Sequence, residues 1–217
     1  MVILALVGVC VVFIAARLGS RWLFSTIAVN LILVSVFGSK LITVFGLITN
    51  AGNVFYACVF LATYFLLERR DKKNVLQTMW FGVGFVVFFV VMSQFVTHFS
   101  SPYPNDAVND AIQTLFVLSP RIALASILAF IFAQYVNISI YTWLKTRMTD
   151  KFLWLRSNGA NIVGQLIDSS LFFTIAFLDL SGPALLQAIF AGWFIKTLVV
   201  FLGTPLLYFD RYLTRKQ

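Results

Sequence analysis

Charge is scarce in this chain: only 11% of its 217 residues are Asp, Glu, Lys or Arg, against 60% hydrophobic residues and a mean hydropathy of +0.93. So little polar surface cannot cover a soluble globule. Histidine and cysteine are almost absent, with His98, Cys10 and Cys58 the complete set. Both cysteines stand isolated in apolar segments without a partner at metal-ligand spacing, so packing is their expected role, and neither a disulfide framework nor a redox centre is implied. The sequence has no His-Glu-x-x-His or Gly-x-Ser-x-Gly motif, which disfavours an intramembrane enzyme. It has no nucleotide-binding loop either, so ATP is not expected to be used by this chain itself. No repeat, low-complexity tract or composition break divides the chain, and residues 1–217 read as a single transmembrane domain.

What fills the chain is apolar sequence in runs near the roughly 17 to 25 residues that a helix needs to cross a bilayer. Such continuous runs exclude alternating barrel strands and predict an all-α, polytopic membrane helix bundle. About seven spans are expected: 2–16, 22–45, 53–67, 75–97, 119–143, 157–178 and 184–209. The first lacks a basic segment before it and a small-residue cleavage site after it, so it reads as retained rather than as a signal peptide. The third is short, which predicts either an extension before Asn50 or a tilted or broken helix at a cavity. Ser119 and Pro120 give a helix-start signal, and residues 107–118 form a mildly amphipathic stretch suited to the membrane surface or to covering an entrance.

The connectors alternate in charge. Arg69, Arg70, Lys72 and Lys73 cluster in one, Lys145, Arg147, Lys151 and Arg156 in another, and Arg211, Arg215 and Lys216 in the tail. The positive-inside bias makes these sides cytoplasmic. Connectors holding His98, Asp106 and Asp110, or only Asp179, then face outward, with the N-terminus outside and the C-terminus cytoplasmic in a cell membrane. Lys40 alone opposes the pattern, and its long side chain can snorkel. The net charge of +8 is thereby a topology signal rather than a nucleic-acid patch.

Two charges sit where charge is expensive. Asp168 lies thirteen residues before Ser181, the centre of its connector, and Lys196 fifteen after it. Paired membrane helices would hold both at a similar depth of ~20 Å. A charge there costs at least ~2.5 to 3.5 kcal/mol on insertion scales, so it should be paired, hydrated or functional. Asn158, Asn161, Gln165, Asp168 and Phe172 recur at intervals of three and four along one helical face. On the preceding span, Ser126, Gln134, Asn137 and Tyr141 share a narrow sector, while Arg121 points elsewhere near the outer end. Interhelical hydrogen bonding and a structural ion pair are one reading of these stripes. A solute-binding cavity is the other, favoured because three amides and a carboxylate share a stripe with a lysine at matching depth. Gly164, Gly192 and Gly203 suit either.

The run Asn161-Ile162-Val163-Gly164-Gln165-Leu166-Ile167-Asp168-Ser169-Ser170-Leu171-Phe172-Phe173-Thr174-Ile175-Ala176-Phe177 resembles the signature of the queuosine precursor transporters, also called the vitamin uptake transporter family. Pro120-Arg121-Ile122 with Ala125-Ser126, Gln134 and Asn137 resembles the family's preceding span. Leu153-Trp154-Leu155-Arg156 resembles the approach to the signature, and Lys196 falls where the family carries a lysine. The resemblance covers roughly residues 26–208. Tyr64 stands where the family usually has an Asp four residues before Glu68, and Arg70, Asp71 and Lys72 replace its usual aromatic, Gly and basic residues. These departures bear on substrate more than on fold.

The resemblance implies a six-helix core resembling the substrate-binding subunits of energy-coupling-factor transporters, with an additional N-terminal span. It also implies import of 7-deazaguanine precursors or queuine for transfer RNA modification. The residues fit a small planar nucleobase-like solute: Asp168 would accept its paired donors, and Lys196 would meet its carbonyl or keep Asp168 ionised. Asn161, Gln165, Gln134 and Asn137 would complete the edge. Phe172, Phe173 and Trp154 are the nearest stacking candidates, Arg121 lies where the solute would arrive, and Glu68 is a candidate gate or second-site residue near the cytoplasmic end. No cofactor or metal is expected, facilitated diffusion and proton coupling both remain open, and a homo-oligomer is compatible with the sequence. The alternative reading is a vitamin-binding membrane subunit that needs a separate energising complex.

Overall fold

The computed structural model describes residues 1–38, 40–44, 46–103, 106–116, 120–148, 152–178 and 182–214. Among them are α1 (Val2–Leu18), α2 (Ser20–Phe37), α3 (Gly52–Arg69), α4 (Lys72–Thr97), α5 (Ala107–Phe116), α6 (Pro120–Arg147), α7 (Leu153–Ala176) and α8 (Gly182–Thr214), with strands β1 (Leu41–Val44) and β2 (Leu47–Asn50) between α2 and α3. The architecture is an α-helical membrane bundle with one small hairpin. Among the described residues, four stretches are long and apolar enough to cross a bilayer: Ser20–Phe37, Lys72–Thr97, Leu124–Arg147 and Gly182–Leu213; Val2–Leu18 is apolar but shorter.

The chain exposes large apolar side chains and buries a set of polar ones beside its hydrophobic core. Trp80, Phe81, Phe88 and Phe95 of α4 are exposed, whereas Gln134, Asn137, Asn161, Gln165, Asp168 and Lys196 are buried. That inversion suits a hydrocarbon surround, where polar side chains are driven to the bundle interior. It marks a multi-pass membrane protein.

α3 is the axis of the bundle. Every residue from Gly52 to Leu67 except Phe55 is buried, and the helix packs against α1, α2, α6 and α8. It neither extends before Asn50 nor breaks, which overturns the expected extension and the expected break. Protein on all sides relieves it of the need for a continuous apolar surface. Gly203 of α8 lies against Leu61, whose side chain occupies the space a Cβ would need, so a glycine lets α8 approach the axis closely.

The second expected span is corrected at its end. Helix α2 stops at Phe37, and β1 pairs antiparallel with β2 in the register Leu41↔Asn50 to Val44↔Leu47. Gly46, with φ of 77°, supplies the left-handed turn residue, and the β-branched Ile42, Thr43, Val44, Ile48 and Thr49 favour strands. Apolarity continued through this region while helical structure did not.

Helix α5 forms from the amphipathic stretch. Asp106 accepts from the backbone N–H groups of Val108 and Asn109, capping it, and Ser101 donates to the other carboxylate oxygen at 2.7 Å. The Ser101 hydroxyl first, and then these N–H groups, hold the Asp106 carboxyl below its ordinary range. Gln113 and Gln94 tie α5 to the end of α4 through the Thr97 and Phe116 carbonyls. Pro120 opens α6, as expected; Ser119 lies outside the described residues, as do Asp179, Lys151, Arg215 and Lys216 of the charge pattern.

Most of the described basic residues gather at one end; Lys40 beside the hairpin and Lys196 at mid-bundle do not. Arg69 holds Asp210 with two bonds of 2.6 and 2.7 Å, Arg17 stands 3.8 Å from the same carboxylate, and Glu68 lies among Lys145, Arg156 and Arg211. The hairpin and α5 occupy the other end, since α3 and α4 run between the two.

Candidate functional site

A cavity of about 550 Å³ opens at the hairpin end. Asn50 of β2, Asn53 and Tyr56 of α3, Ser126 of α6, Asp168 and Phe172 of α7, and Gln187 and Lys196 of α8 contribute to its wall. Helix periodicity explains the alignment: Asn53 and Tyr56 are three apart, Asp168 and Phe172 four apart, so each pair shares a face.

Asp168 is the centre. Lys196 Nζ donates to its Oδ2 at 2.5 Å, and the Tyr56 hydroxyl donates to its Oδ1 at 2.5 Å. Lys196 also stands 5.1 Å above the Tyr56 ring, in cation–π contact. Asp168 and Lys196 are only 5% and 4% exposed, so each needs the other in this low-dielectric setting. One carboxylate, one ammonium and one phenol from three helices thus form a closed unit.

Aromatic rings and amides complete the wall. Phe172 and Phe173 meet edge to face at 5.1 Å, and Phe173 stacks on Phe177 at 5.9 Å. Asn53 Nδ2 donates to Thr49 Oγ1 at 2.7 Å, and its backbone N–H donates to Asn50 Oδ1 at 3.0 Å, binding the hairpin to the start of α3. Apolar ring faces opposite a few fixed polar groups are the usual composition of a small-molecule site.

The sequence-predicted residues do not all meet at the cavity. Asp168, Lys196 and Phe172 meet at the cavity. Gln134 and Asn137 turn to α3, where Gln134 donates to Thr63 Oγ1 at 2.6 Å and Tyr64 donates to Asn137 Oδ1 at 2.6 Å. Glu68 lies at the basic end, accepting from the Tyr141 hydroxyl at 2.8 Å with Lys145 and Arg156 each 3.5 Å away. Asn161 and Gln165 are fully buried between these levels, without a hydrogen-bond partner among the described residues. Trp154 is half exposed and packs edge to face on Phe201. Arg121 belongs to the first turn of α6, and its side chain lies outside the described residues.

Sequence reasoning missed Tyr56, Asn53 and Gln187, and singled out Phe173 only for stacking. The signal for α3 was present: Asn53, Tyr56, Phe60, Thr63 or Tyr64, and Glu68 recur at helical spacing.

A family model described as "Putative vitamin uptake transporter" matches residues 50–209. A protein of Bacillus subtilis (strain 168) named "Probable queuosine precursor transporter" is 32% identical over 187 residues, covering 85% of this chain and 79% of that protein. No solved structure matches the chain. The family match takes in α3, α4, α6, α7 and most of α8, and with them nearly every side chain around Asp168. The chain belongs to the vitamin uptake transporter family.

Proposed function

We propose that this protein imports queuosine precursors, 7-deazaguanine derivatives or queuine, across the cell membrane. The observation that carries this reading is the cavity that joins the Asp168–Lys196–Tyr56 unit to the Phe172–Phe173–Phe177 rings. Its volume falls within the roughly 300 to 1,000 Å³ of small-molecule sites. The name of the Bacillus subtilis relative supports the substrate class.

A guanine-like edge presents an N–H and an exocyclic amine side by side, which one carboxylate accepts together. Each Asp168 oxygen already accepts one bond and has capacity for a second; in this reading the solute takes the place of Lys196, Tyr56 or both as it binds. The released Lys196 ammonium then meets the solute's carbonyl oxygen. The ring lies on the phenylalanine cluster, and Asn53 and Gln187 offer amides to the remaining edge.

Seven helices, α1 to α4 and α6 to α8, span the membrane in this reading, with the cavity facing outward and the basic end cytoplasmic. Helix α5 rests at the outer surface. The N-terminus is outside and the C-terminus inside. Glu68, tied to three cations from α6, α7 and α8, closes the inner end while the cavity is open to the outside.

The test is uptake of labelled queuine and of 7-cyano- and 7-aminomethyl-7-deazaguanine into sealed vesicles containing only the purified chain. Saturable uptake, lost in Asp168→Asn and Lys196→Met proteins, is expected. Binding without uptake would instead identify a subunit that needs a separate energising complex, and absence of both would overturn the substrate assignment.

A further inference from the structure

Four polar levels follow one another along the seam between α3, α7 and α8. The outermost is Tyr56, Asp168 and Lys196 at the cavity. Below Asp168 on the same face of α7 come Gln165 and Asn161, at ~5 and ~10 Å along the axis. Asn158 follows, accepting from Thr204 of α8 at 3.2 Å, and Arg156 ends the series 3.5 Å from Glu68.

Among the described residues, the Asp168 and Asn158 levels are satisfied by hydrogen bonds, Arg156 has the Glu68 ion pair but no hydrogen bond at Nε or Nη2, and the level of the two amides has neither. Neither the nitrogen nor the oxygen of either amide at Asn161 and Gln165 meets a hydrogen-bond partner, and both residues are 0% exposed. Buried amides normally find partners, because leaving them unpaired sacrifices hydration without replacement. Two in successive turns, between a cavity and a charged closure, mark a place whose partner arrives from elsewhere. Their chemistry states what kind. Two carbonyl oxygens and two NH₂ groups suit a neutral edge carrying both donors and acceptors, whereas a small ion would use only one set.

We propose that Asn161 and Gln165 form an inner station, a second site that receives the hydrogen-bonding edge of the solute after it leaves Asp168 and before it passes Glu68. This rests on the transport reading above. The charged outer site captures and the neutral inner site releases, so the solute leaves the Asp168–Lys196 pair before it reaches the ions around Glu68. Rocking of α7 against α8 opens the seam at the Gln165 level, with Gly164 keeping α7 close to Asn137 of α6 and Phe60 of α3, and Gly192 keeping α8 close to Ser169 and Phe173 one turn further out.

The test separates binding from transit. Asn161→Leu and Gln165→Leu proteins are expected to bind 7-aminomethyl-7-deazaguanine within threefold of the parent while uptake into vesicles falls at least tenfold. Normal uptake with a raised Tm would overturn the station, leaving the amides as a structural burden. Binding lost in step with uptake would also overturn it, by merging them with the outer site.

A second arm does not depend on the solute. Gln165→Cys is placed in a Cys10→Ala, Cys58→Ala background and exposed, from the basic face, to a membrane-impermeant methanethiosulfonate. Modification is expected, at least tenfold faster with Glu68→Gln. If the parent binds no 7-deazaguanine yet the Gln165→Cys protein is modified, the substrate assignment falls and the route stands. No modification with or without Glu68→Gln overturns the route whatever the solute.

Discussion

Tyr56 of α3 donates its hydroxyl to Asp168 of α7 at 2.5 Å, across 112 positions of sequence. The bond joins the buried axis of the bundle to the charged face of the cavity, and it leaves Lys196 to hold the other carboxylate oxygen. Tyr56→Phe keeps the ring beneath Lys196 and removes only the donor. A hydrogen bond to a charged group is worth about 1.5 to 3 kcal/mol, so Tm should fall modestly. With the carboxylate no longer oriented, KM for uptake should rise several-fold while the maximal rate stays within twofold. An unchanged KM would remove Tyr56 from the site.

Asp168 and Lys196 allow their structural and functional roles to be separated. Either Asp168→Asn or Lys196→Met alone leaves one buried charge uncompensated, which costs about 3 to 5 kcal/mol. The double variant removes both charges and should recover most of that stability, giving a strongly non-additive cycle in thermal unfolding. Uptake should not recover with it. A double variant that is both stable and fully active would make the pair structural only.

Gly203 tests the packing around α3. A methyl group at this position meets the Leu61 side chain, and overpacking of this kind costs about 1 to 3 kcal/mol. Gly203→Ala should lower Tm, and Leu61→Ala in the same protein should restore part of the loss. Additive losses would show that α8 accommodates the methyl elsewhere.

Asp106 predicts a local response to pH. Its folded carboxyl is held below the ordinary value, chiefly by Ser101, so its contribution to α5 is complete above the unfolded value of about 3.9. That contribution is lost as pH falls through the lower, folded value. Amide protection in α5, corrected for intrinsic exchange, should therefore hold from neutral pH to about pH 5 and decline in stronger acid. Asp106→Asn retains a capping oxygen, and should keep protection while flattening the pH response. Equal acid sensitivity in both proteins would assign the effect to another group.

The parts of this arrangement legible in the sequence were those with a high cost. Asp168 and Lys196 stood out because charge within an apolar segment demands a reason, and their similar distances from one connector placed them at a similar depth. Helical spacing likewise revealed the stripe of Gln134 and Asn137. Spacing defines a face but not the neighbour it meets, and this face turned to Thr63 and Tyr64 instead of the cavity. Tyr56 escaped notice because a tyrosine among aromatic residues carries no evident penalty until its hydroxyl is seen against a carboxylate. The hairpin escaped for a related reason: residues 41–50 are as apolar as a span, and only Gly46 among β-branched neighbours signalled a turn.

Glu68 carries the last prediction, because it links four helices at the end remote from the cavity. Its carboxylate faces Lys145, Arg156 and Arg211, and Arg156 is only 1% exposed. Glu68→Gln leaves these cations facing one another, at a cost of about 3 to 5 kcal/mol. Adding Arg156→Met removes the most deeply buried cation and should return much of the lost stability. If Glu68 is only an anchor, this repaired protein binds solute as the parent does. A closure that holds the outward-facing state behaves differently, since releasing it shifts the population away from the form whose cavity is open. The repaired protein should then bind solute about tenfold more weakly, a shift of ~1.4 kcal/mol, although Glu68 lies ~18 Å along α3 from Tyr56. Equilibrium binding to the Glu68→Gln, Arg156→Met protein, measured beside its Tm, decides between the two: parent-like affinity at restored Tm would reduce Glu68 to an anchor.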